Sequence, residues 1–551
     1  MTNHVLPLVK FQQSVYERAD SPFLKQPMGG EWRVWNYRDA HNEVLRVANY
    51  LQKFPRGSRL AIYSYNCAHW ILADFAIWLA GHVSVPIYPT AGKDQLEQIL
   101  RHSECVAAFI GKLPDFADKR DAIPREIECI SMHQTHMGLP VWDDIVQREL
   151  PLMNAISPDG NATATIVYTS GTTGTPKGAE ISFNAIATAG SNAVQWIGVN
   201  NNERFFSYLP LAHVAERLVV ETGCIYAGGS IAFAESLDTF ADNLRASAPT
   251  IFLGVPRIWL KFKQAVDLKI PPTKLARLLN IPFFGYALKS LIRKGMGLHR
   301  CRLALSGASP LSVELILWYE KLGIPICEGY AMTENFGYSH FSHPDNRRAG
   351  YVGSLLPEAE MKLADDGEIL ARSPCLMKGY FNDTELTAET IKDGWLHTGD
   401  LGETDDSGLL KITGRKKEIF KTSKGKYVAP GIIETKLENL AGVEQLCVLG
   451  SGLPQPIAIA VVEHIGEHLR KQVQRRLNDA LIQINTSLEN HEKLARIIVI
   501  NEKWTTDNGM MTPTMKLRRQ VIESRYQAII EQFADNNELI NWVDDAVSTA
   551  G

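Results

Sequence analysis

The sequence predicts an α/β protein: a large N-terminal domain of mixed, largely parallel sheets flanked by helices, followed by a small α+β C-terminal domain. Three observations carry this. The chain has 551 residues, too many for one simple core. From Trp32 to about Thr413, short β-branched runs alternate with helical patterns, as in a parallel sheet with crossover helices. Near residue 414 the texture changes to a dense cationic stretch, Gly414-Arg-Lys-Lys-Glu-Ile-Phe-Lys-Thr-Ser-Lys-Gly-Lys-Tyr427, and a smaller unit follows.

In order, Leu60–Ser64, Val83–Tyr88, Ala107–Ile110, Thr165–Thr169, Ser230–Phe233 and Thr250–Leu253 read as strands, with Asn42–Leu51 and Ala68–Ala80 as helices. The window from Ala68 to Pro89 is the most apolar, but His69, Asp74 and His82 interrupt it. A charge in a membrane span is costly, so the window reads as a buried helix and a strand. In the smaller unit Leu469, Val473, Leu477, Leu481, Ile484 and Leu488 recur at helical spacing, and core packing is their role. The strand Arg496–Ile500 and a helix beginning near Lys516 follow.

Bulk properties exclude several classes. Net charge is -4, so no basic field argues for nucleic acid. The eight cysteines are scattered without a Cys-x-x-Cys pair, which speaks against a zinc site or disulfide framework and for reduced thiols in a cytosolic protein. The N-terminus, Met1-Thr-Asn-His-Val-Leu-Pro, lacks the basic and apolar segments of a signal peptide.

The strongest chemical signal is Tyr168-Thr-Ser-Gly-Thr-Thr-Gly-Thr-Pro-Lys-Gly178. Hydroxyls, glycines and a lysine after a strand suit an anion, phosphate above all. Pro176 before Lys177 excludes a Walker A loop. Gly329-Tyr-Ala-Met-Thr-Glu334 sets an aromatic for stacking on a purine beside a carboxylate for Mg²⁺. His397-Thr-Gly-Asp400 offers an aspartate, read as lying at a strand end, for ribose hydroxyls. Each of these alone also reads as a buried tyrosine, a cap or a surface acid.

Their order decides. Thr169–Gly178, Leu209-Pro-Leu-Ala-His-Val-Ala-Glu-Arg217, Leu305–Ser309, Gly329–Glu334, Asp393–Asp400, Ile412–Val428 and Thr512-Pro-Thr-Met-Lys516 resemble, in that sequence, the motifs of the adenylate-forming superfamily, and look most like those of long-chain fatty acid–CoA ligases. The resemblance spans about Trp32 to Arg519. It implies ATP, Mg²⁺ and CoA as reactants and cofactor, and a fatty acid as the acyl substrate. A carboxylate attacks the α-phosphate of ATP, and CoA then displaces AMP. Alternatives within the resemblance are transfer of the acyl-AMP to a carrier protein or another acceptor, and a silent relative that only binds.

Carried over by position, Thr169, Ser170, Gly171, Thr172, Thr173, Gly174 and Lys177 would hold the β- and γ-phosphates. Glu334, with Thr169, would bind Mg²⁺. Tyr330 would stack on adenine beside Gly329 and the backbone of Gly307, Ala308 and Ser309. Thr333 would touch the α-phosphate, Asp400 the ribose with Arg415 close by, and His213 the bound carboxylate. Lys516 would stabilise charge growing at the α-phosphate. The family's domain rotation places a hinge at 415–421 between domains 1–414 and 422–551, with Lys417 at its pivot, Lys421 near phosphates, and Gly425 beside the pantetheine path.

Two departures stand out. Ala331 occupies a position where the family commonly has glycine, and it is strained if that backbone needs positive φ. The region between Pro256 and Arg302 is short compared with that of many long-chain enzymes of the family it resembles, so a reduced fatty-acid lid is expected, which leaves the chain-length preference open. From Lys261 to Arg302 that region is basic and apolar, and two readings stand open: a buried helix pair with a solvated face, or a surface that lies on an anionic membrane. The expected location is cytoplasmic, with peripheral contact to the inner face of a membrane under the second reading.

Overall fold

A computed structural model describes residues 4–132, 138–153, 157–170, 176–437, 442–462, 466–506, 508–512, 516–533, 536 and 538–543. Two compact units emerge. The larger comprises Met1–Lys362, Leu370–Thr398 and Asp405–Leu410, and the smaller comprises Leu363–Ile369, Gly399–Thr404 and Lys411–Gly551.

Two large sheets build the larger unit. In one the strands run Glu128–Ser131, Cys105–Ile110, Arg59–Tyr63, Val83–Ile87, Thr163–Ser170 and Pro176–Ser182. All neighbours are parallel except the last pair. In the other the order is Ser354–Leu355, His340–Phe341, Ile326–Tyr330, Leu303–Ser306, Ile251–Leu253, Arg204–Ser207, Ser230–Phe233, Pro22–Met28 and Glu31–Asn36. Its centre is parallel and its edges antiparallel. The predicted α/β architecture is therefore present. The sequence reading missed the helix Pro7–Arg18 and the hairpin Pro22–Asn36, and the hairpin extends the second sheet.

The apolar helix Ala68–Leu79 is buried along its whole length. Asp74 within it is fully buried and receives the guanidinium of Arg217, which also donates to Glu221 at 2.9 Å and to the hydroxyl of Thr165 at 2.7 Å. Indole rings of Trp70 and Trp78 lie 5.4 and 5.6 Å from that guanidinium. The charge that argued against a membrane span is thus one of two carboxylates facing a buried arginine. Among the described residues no helix is long and apolar enough to cross a membrane. All eight cysteines are free and buried.

In the smaller unit the strands run Gln445–Leu449, Ile457–Val461, Ile497–Ile500 and Ile540–Trp542. The helix Glu467–Thr486 sets Val473, Leu477, Leu481 and Ile484 into the core, and Leu488 follows. Leu469, expected in that stripe, is exposed at the first turn. The helix expected near Lys516 begins at Arg519. A further sheet, Glu360–Leu363, Glu368–Arg372, Trp395–Thr404 and Ile391–Lys392, with Leu410–Arg415 beside Trp395–Thr404, carries Asp400.

Candidate active site

In the larger unit the site forms where parallel strands end. Ser306 pairs with Glu328, so the segments leaving Leu303–Ser306 and Ile326–Tyr330 run side by side. A Cβ on Gly307 would stand 3.3 Å from the carbonyl oxygen of Gly329. Gly307, Ala308 and Ser309 are thereby brought next to Gly329 and Tyr330, at the carboxyl edge where α/β sheets bind ligands. Ala308 has φ +68°, a conformation that costs an L-residue about 1 kcal/mol. Ala331, strained only if its backbone needed positive φ, is not among the residues with positive φ.

Two groups missed in the sequence reading support this edge. Glu328 is buried and accepts the N–H of Leu311 at 3.3 Å, which ties down the turn after Ser309. Burial pushes its carboxyl up to about 7. His340 pairs with Tyr330 across the sheet, their rings 6.2 Å apart, and shares a 2.9 Å hydrogen bond with the Ser339 hydroxyl. Burial pushes its imidazole down to about 4, so it is neutral at pH 7.

Glu334 lies in a single tight turn, Thr333–Asn335, braced by the Met332 N–H on the side-chain oxygen of Asn335 at 2.9 Å. Its carbonyl accepts the N–H of Met377 at 2.7 Å, and its Oε1 accepts the hydroxyl of Tyr380 at 2.7 Å. The same segment is bonded to the strand Pro176–Ser182: Phe381 donates to the Gly178 carbonyl at 2.7 Å, and Lys378 to that of Glu180 at 2.8 Å. That strand pairs Lys177 with Thr169 and Gly178 with Tyr168. So Lys177 sits on a hairpin arm opposite Thr169, whereas the sequence read it as the end of an open loop. Residues 377–381 staple the Glu334 turn to this arm. Gly178 is needed for packing, since a Cβ there would come within 2.7 Å of Ile166 Cγ2. Gly171, Thr172, Thr173 and Gly174, and the side chain of Ser170, lie outside the described residues.

His213 caps the short helix Val214–Glu216, its Nδ1 accepting the N–H of Ala215 at 3.1 Å. A Cβ on Gly337 would lie 3.7 Å from Val214 Cγ2, so this helix packs beside the residues that follow Glu334. Glu216 is fully buried and accepts the Ser207 hydroxyl at 2.9 Å and the Tyr208 N–H at 3.0 Å. Burial pushes its carboxyl up to about 8. Within the Leu209–Arg217 motif, Glu216 and Arg217 are therefore framework, whereas His213 is partly exposed.

In the smaller unit Asp400 is buried inside the ten-residue strand Trp395–Thr404, not at a strand end as expected, and accepts Nε of Arg415 at 2.7 Å. Next to it Glu368 accepts the N–H of Gly399 at 2.9 Å and Nζ of Lys416 at 3.1 Å. Lys417 is exposed. Lys421 and Gly425 lie on an exposed hairpin, Phe420–Lys421 against Tyr427–Val428. Gly425 has φ +77°, and a Cβ there would meet only Lys421 Cε at 3.8 Å. Its glycine is thus required by backbone conformation, not by crowding within the hairpin.

Lys516 is exposed; its N–H donates to the Thr512 hydroxyl at 3.1 Å and its carbonyl accepts the Thr512 N–H at 2.8 Å. Three residues on, Arg519 is largely buried, donating to Glu434 at 2.5 and 3.0 Å and to the Val448 carbonyl at 2.6 Å. The apparent basic run Lys516-Leu-Arg-Arg519 therefore splits into a presented lysine and a structural arginine.

Donor chemistry suits Mg²⁺. Among the described residues no group of three His, Cys, Asp or Glu could cage a metal alone. A single carboxylate such as that of Glu334 fits an ion that takes one or two protein oxygens and completes its shell with phosphates and water.

A family model described as "AMP-binding enzyme" matches residues 11–381, and one described as "AMP-binding enzyme C-terminal domain" matches 417–538. The long-chain-fatty-acid–CoA ligase FadD15 of Mycobacterium bovis is 27% identical, with 94% of this chain and 95% of that one covered. The peroxisomal long chain acyl-CoA synthetase 6 of Arabidopsis thaliana is 30% identical over 95% of this chain and 86% of its own. Among solved structures, the anthranilate CoA ligase AuaEII with anthranoyl-AMP superposes with TM-score 0.78 at 22% identity, covering 96% of this chain and 99% of that one. The A-PCP didomain of the carboxylic acid reductase of Segniliparus rugosus with AMP gives 0.80 at 20%, covering 97% and 83%.

Proposed function

Because the chain belongs to the AMP-binding enzyme family, we propose that it is a fatty acid–CoA ligase that forms an acyl-AMP and then an acyl-CoA, acting on medium- to long-chain acids. The observation that carries this is the Tyr380 staple. It fixes Glu334 beside the strand that carries Lys177, which supports a cation held by Glu334 next to phosphates held by Thr169–Lys177.

In the first step a carboxylate oxygen attacks the α-phosphorus of ATP, and the bond to the β-phosphate oxygen breaks to release pyrophosphate. Lys177 and the hairpin hydroxyls hold the departing β- and γ-phosphates. Glu334 and Thr169 would hold Mg²⁺, which when bound neutralises phosphate charge. Tyr330 stacks on adenine against the Gly307–Ser309 backbone, Thr333 touches the α-phosphate, and His213 steadies the acid. Asp400, oriented by Arg415, binds the ribose. Lys516 stabilises the charge that grows on the α-phosphate. A pair about 4 Å apart at an effective dielectric near 20 contributes about 4 kcal/mol, or about a thousandfold in rate.

In the second step the CoA sulfur attacks the acyl carbonyl, the proton of the thiol leaves, and the bond to AMP breaks. The exposed hairpin of Lys421 and Gly425 suits the approach of pantetheine and phosphate, and Lys417 serves as the pivot of a 415–421 hinge that exchanges the faces of a 422–551 domain between steps. The names of the relatives in M. bovis and A. thaliana support the fatty-acid class and CoA as acceptor.

AMP release across a carboxylate panel, from acetate to long-chain and aromatic acids with CoA present, tests the reading. Turnover that peaks on fatty acids is expected, and turnover restricted to aromatic acids would overturn it. A second reading, transfer to a carrier protein, is favoured by the likeness to the A-PCP didomain. Pyrophosphate exchange with palmitate in a protein that makes no palmitoyl-CoA would select it. No exchange with any carboxylate would leave a binding protein.

A further inference from the structure

One face of the larger unit is not used by this chemistry. Between Pro256 and Arg302 the chain carries eleven Lys and Arg and one acid, Asp267, within a protein of net charge -4. That acid is bonded to Lys263 at 2.5 Å. Three helices fill the segment: Pro256–Lys269, Pro272–Leu279 and Phe284–Gly295. Their inner side chains Trp259, Leu275, Leu288 and Ile292 are buried in one core cluster. A Cβ on Gly285 would stand 2.3 Å from the Leu279 carbonyl, so the second and third helices meet closely. The segment is a seated part of the fold.

Its outer side chains are the anomaly. Phe283 is 93% exposed, Leu268 88%, Tyr286 81% and Leu291 67%. Phe283 also has φ +60°, a conformation in which a bulky aromatic is an outlier. Within this chain its ring recovers no burial to offset that cost. Phe283, Ala287, Leu291 and Lys294 follow one another along the outer face of the third helix, and Lys269, Lys274 and Arg277 are exposed on the preceding elements.

We propose that the Phe283–Tyr286 tip and the outer face of Phe284–Gly295 dock on an anionic lipid bilayer, the aromatic tip entering the headgroup–acyl boundary and the surrounding Lys and Arg pairing with lipid phosphates. Charge complementarity chooses the occupant: a cation-rich face around exposed aromatic and aliphatic side chains suits a negatively charged interface. Aromatic rings settle at the boundary while Lys and Arg stems lie along it with their charges in the headgroups. The mode is lying on the membrane, by an element too short to cross it.

Vesicle flotation tests this with the full chain. Vesicles of phosphatidylcholine with phosphatidylserine should carry the protein, vesicles of phosphatidylcholine alone should carry far less, and added salt should release it. F283S/F284S/Y286S and K274E/R277E/K294E should each lower the partition coefficient by about tenfold or more. Both variants should keep the wild-type melting temperature and AMP release with a soluble medium-chain acid. The charge-reversed variant alters only exposed side chains and stands as the test if the aromatic one folds poorly. Absence of wild-type flotation on anionic vesicles, or flotation unchanged in both variants, would overturn the proposal. So would capture of an acidic carrier protein by this face without vesicle binding.

Discussion

Glu334 and Lys516 are the two charges assigned to the same adenylation step, and they are built in opposite ways. Glu334 is buried, bonded through its carbonyl to Met377 and through its carboxylate to Tyr380, on a turn at the edge of a nine-stranded sheet. Lys516 is exposed, its N–H bonded to the Thr512 hydroxyl and its carbonyl to the Thr512 N–H, in a separate unit. The contrast matches the task. Under the proposed roles, a carboxylate that holds the metal works best preorganised, whereas a charge required for one of two steps must be presented and withdrawn.

The largest expected effect breaks the presented side. Lys516→Ala should slow acyl-AMP formation about a thousandfold, read by pyrophosphate exchange, while thioester formation from supplied acyl-AMP survives. Equal loss of both steps would erase the division of labour.

Next comes the preorganised side. Tyr380→Phe removes a hydrogen bond to a carboxylate, an interaction of about 1.5–3 kcal/mol, so adenylation should fall about tenfold to a hundredfold. The half-saturating Mg²⁺ concentration should rise, a readout that simple destabilisation would not move.

Glu216 tests the framework behind His213. Its carboxyl rises from an ordinary 4.5 to about 8 because burial opposes ionisation. The folded state therefore holds a proton that the unfolded chain releases, and the stability this contributes is lost as pH rises from about 4.5 through about 8. In that window the wild type should lose about 1.4 kcal/mol per pH unit relative to Glu216→Gln, measured by denaturant unfolding. Parallel stability profiles would show that burial is not what governs this group.

The smallest effect concerns backbone. Ala331 is not in the left-handed region, so Ala331→Gly should bring no gain in activity and change stability by less than about 1 kcal/mol. A clear gain would mean that the turn after Tyr330 is strained in the working enzyme.

Local pattern carried the sequence reading far. The strand Ser230–Phe233 matches residue for residue, and the buried stripe Val473–Leu488 follows its periodicity. Asp400 was found as a candidate yet misplaced, since a glycine beside it suggested a strand end where the strand in fact continues to Thr404. Tyr380 carried no signal at all, because it reaches Glu334 across 46 positions of chain. Glu328 and His340 carried no signal either, because their burial arises only where the strands Ile326–Tyr330 and His340–Phe341 pair within the sheet.

Sequence alone determined the α/β class, the ordered motifs and the charged side chains available for chemistry, because periodicity and residue type are local properties. Only the tertiary structure decided which charges are buried framework and which are presented. Arg217 and Lys516 each stand at the end of a motif, but one lies between Asp74 and Glu221 out of solvent and the other is exposed. Whether a charge is buried in the interior or exposed at the surface depends on partners from distant segments, and only folding brings those together.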